Sequence, residues 1–322
     1  MQTDFLISIV VPVFNEEAVL PEFHRRLGQV LDPLSFDFEI LYVNDGSADD
    51  SLSLLNRLRE QDARVAILDL SRNFGKEIAM TAGLHRAQGE AVIVIDADLQ
   101  DPPELIPRLI EEWQKGFDVV YARRARREGE SAFKKMTAHL FYRLMRTIGQ
   151  IKIPEDTGDY RLLSRRAVDA LNTLGEQHRF MKGLFTWIGY RQKAVIYERD
   201  PRHAGESKWN YWKLWNFAIE GITSYSSAPL KLASYLGLLT ALGAFAYGIF
   251  IIIRTLLYGD PVQGYPSMIV IILFLGGVQL MSIGVLGEYV GRIFTETKRR
   301  PLYFVNEYSP RREAEKGSAA QA

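Results

Sequence analysis

The chain has 322 residues, with 39 lysines and arginines balanced by 39 aspartates and glutamates, so no global basic field points to nucleic acid. It contains no cysteine, which excludes disulfides, zinc–thiolate sites and a thiol nucleophile. Met1-Gln2-Thr3-Asp4 lacks the charged and apolar stretches of a signal peptide, so a later apolar segment is expected to direct insertion.

Apolar β-branched runs then alternate with helical patterns. A strand is predicted over residues 7–13, followed by a helix from near Glu16. A second strand over 39–43 leads to a helix from about Asp49, with Ser47 placed to cap it. A third strand over 65–70 precedes a helix over 76–87. The run 91–95 precedes a helix over 103–115, and 118–122 forms a fifth strand. This order predicts an α/β fold with a mostly parallel sheet covered on both faces.

Further along, residues 232–253 and 267–287 carry no charge. Each reaches the roughly 20 residues needed to cross a hydrocarbon core. Arg254 and Asp260 are the charges of the link between them, and Arg292, Lys298, Arg299 and Arg300 follow the second. By the positive-inside rule the long N-terminal part and the tail are both cytoplasmic. Trp209, Tyr211, Trp212 and Trp215, mixed with Lys213, describe an interfacial helix just before the hairpin. The expected domains are a cytosolic part at 1–205, interfacial helices at 206–228, two transmembrane helices at 229–290 and a basic tail at 291–322. Within that tail the polar stretch 309–322 is expected to be disordered.

Polar punctuation falls at the predicted strand ends, where open α/β sheets bind ligands. The first loop reads Pro12-Val13-Phe14-Asn15-Glu16-Glu17 and the second Asn44-Asp45-Gly46-Ser47. The third reads Ser71-Arg72-Asn73-Phe74-Gly75-Lys76 and the fourth Asp96-Ala97-Asp98-Leu99-Gln100-Asp101. Taken singly, each is equally well read as turn chemistry or a helix cap. Together they outline a pocket with paired carboxylates, Arg72 and Lys76. Two hard oxygen ligands in Asp96 and Asp98, with Gln100 and Asp101 close behind, suit a Mg²⁺ or Mn²⁺ ion bound to a diphosphate. Neither a phosphate-binding P-loop nor a dinucleotide fingerprint is present.

These four motifs, with Thr157-Gly158-Asp159-Tyr160-Arg161-Leu162, resemble the family 2 inverting glycosyltransferases. Within that family the chain is similar to the polyprenyl-phosphate glycosyltransferases: dolichol-phosphate mannose synthases and, nearer, bacterial bactoprenol glucosyltransferases with two C-terminal spans. The resemblance implies a GT-A fold, a nucleotide sugar, Mg²⁺ or Mn²⁺, and transfer to a lipid phosphate at the cytoplasmic face of the bacterial inner membrane. It implies that Pro12, Asn15, Glu17, Asp45 and Asp96 line the nucleotide-sugar pocket. Asp96, Asp98 and Gln100 would hold the metal. Asp159 occupies the catalytic carboxylate position, with Tyr160 replacing the more usual Phe and Asp156 close enough to compete for the role. Arg202, Ser207 and Lys208, in Arg202-His203-Ala204-Gly205-Glu206-Ser207-Lys208, match the family's phosphate-binding element. Arg123, in the basic run after the fifth strand, is a further candidate for the acceptor phosphate or else a solvated loop residue. A homo-oligomer, with a tetramer as its form, is also implied.

The favoured reaction is transfer of glucose from UDP-glucose to undecaprenyl phosphate with inversion. A phosphate monoester has a second pKa of about 6 and needs no strong base at neutral pH, so Asp159 is expected to orient the acceptor. One rival is the same reaction with another sugar, mannose from GDP-mannose or an amino sugar. Another is an inactive nucleotide-sugar sensor, against which the intact Asp96, Asp98, Gln100 and Asp159 argue. A processive polysaccharide synthase needs more spans and a Gln-x-x-Arg-Trp element, which Gln177-His178-Arg179-Phe180 breaks.

Overall fold

The computed structural model describes residues 5–124, 157–177, 179–197, 228–258 and 264–312. The chain divides into two units. The first holds the sheet and its helices and includes the described residues from 300 onward; the second holds the helical hairpin.

In the first unit β1 (Leu6–Val13), α1 (Leu20–Leu31), β2 (Asp37–Asn44), α2 (Ser51–Gln61), β3 (Val65–Leu70) and α3 (Lys76–Arg86) follow in order. Then come β4 (Ala91–Val94), a 3₁₀ turn at Pro103–Leu105, α4 (Ile106–Gln114) and β5 (Val119–Arg124). After the undescribed stretch come β6 (Thr157–Ser164), α5 (Arg165–Asn172), α6 (Met181–Trp187) and β7 (Gln192–Tyr197). The strands form an eight-stranded sheet in the order β7-β5-β6-β4-β1-β2-β3-β8, where β8 is Val305–Ser309. β4, β1, β2 and β3 run parallel; β6 and β8 run antiparallel to their neighbours.

The apolar runs become strands because both faces of the central sheet are covered. Ile7, Ile9 and Val11 on one face and Val10 on the other are fully buried, as are Ile40, Leu41, Tyr42 and Val43. Gly83 of α3 shows how close the helical layer lies. A Cβ there would stand 2.3 Å from Val10 Cγ1, so only glycine permits that approach.

Two expected helix starts move. Helix α1 begins at Leu20, one turn after Glu16, whose carbonyl accepts from Val19 N and Leu20 N, each at 3.1 Å. Helix α2 begins at Ser51, and Ser47 does not cap it; the Ser47 hydroxyl instead accepts from Asn15 N at 3.1 Å. The expected tail also changes. β8 pairs with β3, Arg59 donates to Pro310 O, and Arg311 pairs with Asp37 at 2.7 Å, so residues 305–312 belong to the catalytic unit. That unit therefore extends beyond the expected 1–205 boundary. Residues 313–322 lie outside the described residues.

In the second unit, α7 (Ala228–Tyr258) and α8 (Tyr265–Thr297) pack together as the expected two-helix hairpin, each longer than the apolar run within it. Among the described residues, 274–297 is long and apolar enough to cross a membrane. Large apolar side chains such as Leu239, Phe245 and Leu256 on α7 are exposed, the arrangement expected of helices that face lipid. The interfacial segment 206–227 lies outside the described residues.

Candidate active site

Register brings the loops of the site to one level. Val13, Asn44 and Asp69 pair across β1, β2 and β3, so the loops after these strands leave the sheet side by side. β4 ends earlier, and its Val94 pairs with Arg161 of antiparallel β6. Continuing that register by two residues brings Asp159 level with Asp96. The D-x-D loop and the Gly-Asp-Tyr-Arg-Leu strand therefore meet although 60 residues of sequence separate them.

The meeting point is Lys76. Its ammonium lies 2.6 Å from Asp96 Oδ2 and 2.8 Å from Asp159 Oδ2. Burial alone would lower its pKa, but the charges of Asp96 and Asp159 override this and raise it. Burial would raise the Asp159 carboxyl, yet Lys76, Lys182 and Arg161 hold it well below the usual carboxylate range. Asp159 Oδ1 is buried and has no hydrogen-bond partner among the described residues. A buried carboxylate oxygen without a partner calls for one, and a bound ligand or ion would supply it. Behind it, Arg161 donates from Nη2 to Gly158 O at 2.8 Å and from Nε to Asp159 O at 3.2 Å. Its guanidinium stacks 3.8 Å above the Phe185 ring, which fixes the backbone that presents Asp159.

The nucleotide-side loops are knitted together. Asp45 is buried and accepts from Phe74 N at 2.7 Å and Gly75 N at 2.9 Å. Burial pushes its carboxyl up, and the two N–H donors pull it part of the way back. Gly46 has φ 64°, and a Cβ there would stand 2.5 Å from Arg72 C, so a glycine lets the second and third loops touch. Asn15 Oδ1 accepts from Ala48 N, and Glu17 Oε2 accepts from Asp50 N. Pro12 lies on β1 opposite Val43. Arg72 is exposed, with its guanidinium 4.1 Å from the Phe74 ring centroid.

Two family models match the chain: glycosyl transferase family 2 over residues 8–171 and the GtrB C-terminal hairpin over residues 228–293. The chain belongs to glycosyl transferase family 2. An uncharacterized glycosyltransferase of Synechocystis is 53% identical over 94% of this chain and 95% of its own length. The bactoprenol glucosyl transferase of Shigella phage SfX is 51% identical over 93% of this chain and 98% of its own. A prophage bactoprenol glucosyl transferase homolog of Escherichia coli is 49% identical over the same 93% of this chain and 98% of its own. The expected fold, a GT-A-like domain followed by a two-helix hairpin, is the one present.

For a metal, the donor chemistry of this transferase fits. Asp98 uses Oδ1 to accept from Gln100 N at 3.1 Å, and Gln100 is itself buried beside it. Leu99 between them has φ 58°, an unusual backbone for a branched side chain, and anchors that turn by burying its own side chain in the core. Among the described residues no three acidic or imidazole side chains form a closed cage. Magnesium is commonly held by one or two carboxylates together with substrate phosphates and water, which matches this open donor set.

On the acceptor side, Asp156, Arg202, Ser207 and Lys208 lie outside the described residues. Arg123 is described and exposed, and it is the neighbouring Arg124 that turns inward. Tyr197 donates its hydroxyl to Asp101, and Arg124 Nε lies 3.4 Å from the same hydroxyl. Strand alternation carries the signal for this: Val120 and Ala122 are buried, so Arg124 shares their face. Glu77 is another residue not singled out from sequence. It accepts from Met181 N at 2.9 Å and adds a second carboxylate near Asp159.

Proposed function

We propose that this chain transfers glucose from UDP-glucose to undecaprenyl phosphate, with inversion, at the cytoplasmic face of a bacterial inner membrane. The observation that carries the reading is the Lys76 bridge, which joins the D-x-D loop to the buried carboxylate of Asp159. Relatives at about half identity that are named bactoprenol glucosyl transferases support the acceptor class. The hairpin supports its delivery from a bilayer.

In this reading the four strand-end loops receive the nucleotide sugar. Pro12, Asn15, Glu17, Asp45 and Arg72 line the nucleoside side, and Lys76 and Asp96 face the diphosphate and sugar. Asp96, Asp98 and Gln100 would hold Mg²⁺ or Mn²⁺, which would supply positive charge to the departing diphosphate. An acceptor phosphate oxygen bonds to the anomeric carbon as the bond from that carbon to the UDP oxygen breaks, which inverts the centre. Arg123, Arg202, Ser207 and Lys208 are assigned to the acceptor phosphate, with Arg124 close at hand. Asp159 orients the acceptor; Asp156 is the second candidate for that role.

Topology has its own support. β8 follows the hairpin in sequence yet pairs with β3, which precedes it. A domain sewn together from both sides of the hairpin needs both ends of the hairpin on one face of the membrane. That favours two crossings, with both termini cytoplasmic as the basic residues after α8 indicate. A homo-oligomer, tetrameric in form, is carried over from the resemblance.

The test is a screen of radiolabelled UDP- and GDP-sugars with purified protein, with and without undecaprenyl phosphate, followed by product identification. Lipid-dependent release of UDP from UDP-glucose is expected. Preference for a GDP-sugar or an amino sugar overturns the donor assignment. Binding without any lipid-dependent turnover returns the sensor reading.

A further inference from the structure

The third donor-side loop is held from a distant part of the chain. Asp69, the last-but-one residue of β3, is buried, and among the described residues it has no lysine or arginine partner. Two amides stabilise its charge instead. Asn44 Nδ2 donates to Asp69 Oδ1 and Asn306 Nδ2 donates to Asp69 Oδ2, each at 2.7 Å. A buried carboxylate without an ion-pair partner depends on such donors.

The contact continues into the site. Asn44 Oδ1 accepts from Ser47 N at 3.3 Å, Ser47 Oγ accepts from Asn15 N at 3.1 Å, and Asn15 Oδ1 accepts from Ala48 N at 2.8 Å. One hydrogen-bonded line therefore runs from β8 through β3 and β2 to the loop after β1. Beside it, Ser71 N donates to Phe304 O at 3.0 Å, which fixes the start of the loop whose far end donates to Asp45. Both ends of the 71–75 loop are thus tied, one to Phe304 just before β8 and one to the second loop.

We propose that Asn306 is a positioning residue for the nucleotide: through Asp69 and Asn44, the strand that follows the hairpin sets the loops that bind the donor. This rests on the donor-site reading above. Asn306 does not touch the ligand. Its effect is expected in donor affinity, with acceptor affinity and the chemical step left alone.

The experiment uses the full chain in detergent, with UDP and Mg²⁺ as the binding probe and UDP-glucose and undecaprenyl phosphate for kinetics. Asn306→Asp places a second carboxylate against Asp69 and is expected to weaken UDP binding about tenfold, with an equal rise in donor KM. Acceptor KM, and kcat at saturating donor, are expected to hold. Asn306→Ala removes the donor without adding charge and is expected to cost about threefold in UDP affinity. The decisive variant combines Asp69→Asn with Asn306→Asp. The new amide at position 69 can accept from Asn44 and donate to position 306, so UDP affinity should return to within about twofold of the unaltered chain.

Unchanged UDP affinity in both single variants overturns the proposal, even if they melt earlier, because β8 would then serve stability alone. Failure of the double variant to recover overturns the specific hydrogen-bonded route. Absence of UDP binding in the unaltered chain overturns the donor-site reading, and this inference with it.

Discussion

Lys76 Nζ stands 2.8 Å from Asp159 Oδ2 while also holding Asp96, so one ammonium keeps a buried carboxylate and a half-buried one from repelling each other. Replacing it by an apolar side chain leaves that repulsion uncompensated. Lys76→Met is expected to lower kcat/KM by at least about tenfold, with weaker UDP binding. Lys76→Arg, which keeps charge but changes geometry, should recover only part of the loss. Kinetics alongside UDP titration checks both, and activity near that of the unaltered protein in Lys76→Met would remove the lysine from the site.

Asp98 supplies the open carboxylate of the D-x-D loop. Asp98→Asn keeps the side-chain shape and the oxygen that accepts from Gln100 N but removes the charge a divalent ion needs. Turnover is expected to fall at least about a hundredfold, with the thermal midpoint little changed. Near-normal rates in saturating Mg²⁺ or Mn²⁺ would end the metal assignment.

Glu77 gives a pH-dependent prediction. Burial first, and then the charge of Asp159, push its carboxyl from the ordinary 4.5 up to about 7. Between those values the folded protein keeps a proton that the unfolded chain has released. Stability therefore falls as pH rises through that window, and the deficit is complete above it. Glu77→Gln retains an oxygen to accept from Met181 N and is expected to raise the midpoint at pH 8 by about 2–4 °C, with little effect near pH 4. Melting curves across pH check it, and an equal shift at both ends would assign the effect to packing instead.

Much of the parallel sheet was legible because its strands are continuous apolar runs bounded by polar loops, and those loops are local in sequence. The helix starts were less so: residues 17–19 form a separate turn on Glu16 before α1, a distinction that the apolar pattern does not announce. β8 was illegible for a different reason. Val305-Asn306-Glu307-Tyr308-Ser309 is a short, mixed edge strand, half exposed, and reads locally as linker. Only pairing with β3 identifies it. In the same way, Lys76 was legible as a cation for the donor. Its bridge to Asp159 depends on β6 lying antiparallel beside β4, which no local pattern states.

That strand changes what a shortened protein should do. A chain cut after Ser226 lacks β8 and leaves the edge of β3 unpaired. Exposed strand edges invite association. Such a chain is expected to melt earlier, to aggregate and to bind UDP weakly. Rejoining residues 299–312 through a flexible linker should restore both. Size-exclusion chromatography and UDP titration of the two forms decide the matter, and full UDP affinity in the cut chain would make β8 dispensable.

The last prediction concerns the acid–base role of Asp159. Burial favours its neutral form, but the charges of Lys76, Lys182 and Arg161 hold the carboxyl well below the usual range. It is therefore ionised throughout the working pH range, and so strongly stabilised an anion is a poor base. An acceptor phosphate loses its second proton at about pH 6 by its own chemistry. The acid limb of kcat/KM is then expected near that value, reporting the acceptor and not the enzyme. Asp159→Asn should slow catalysis across the whole profile and leave the limb where it was, because orientation is lost and no titrating base is removed. An obligatory base gives the opposite result: its deletion displaces or abolishes the limb. Profiles for both proteins at saturating metal distinguish the two, and a vanished limb would assign proton removal to Asp159.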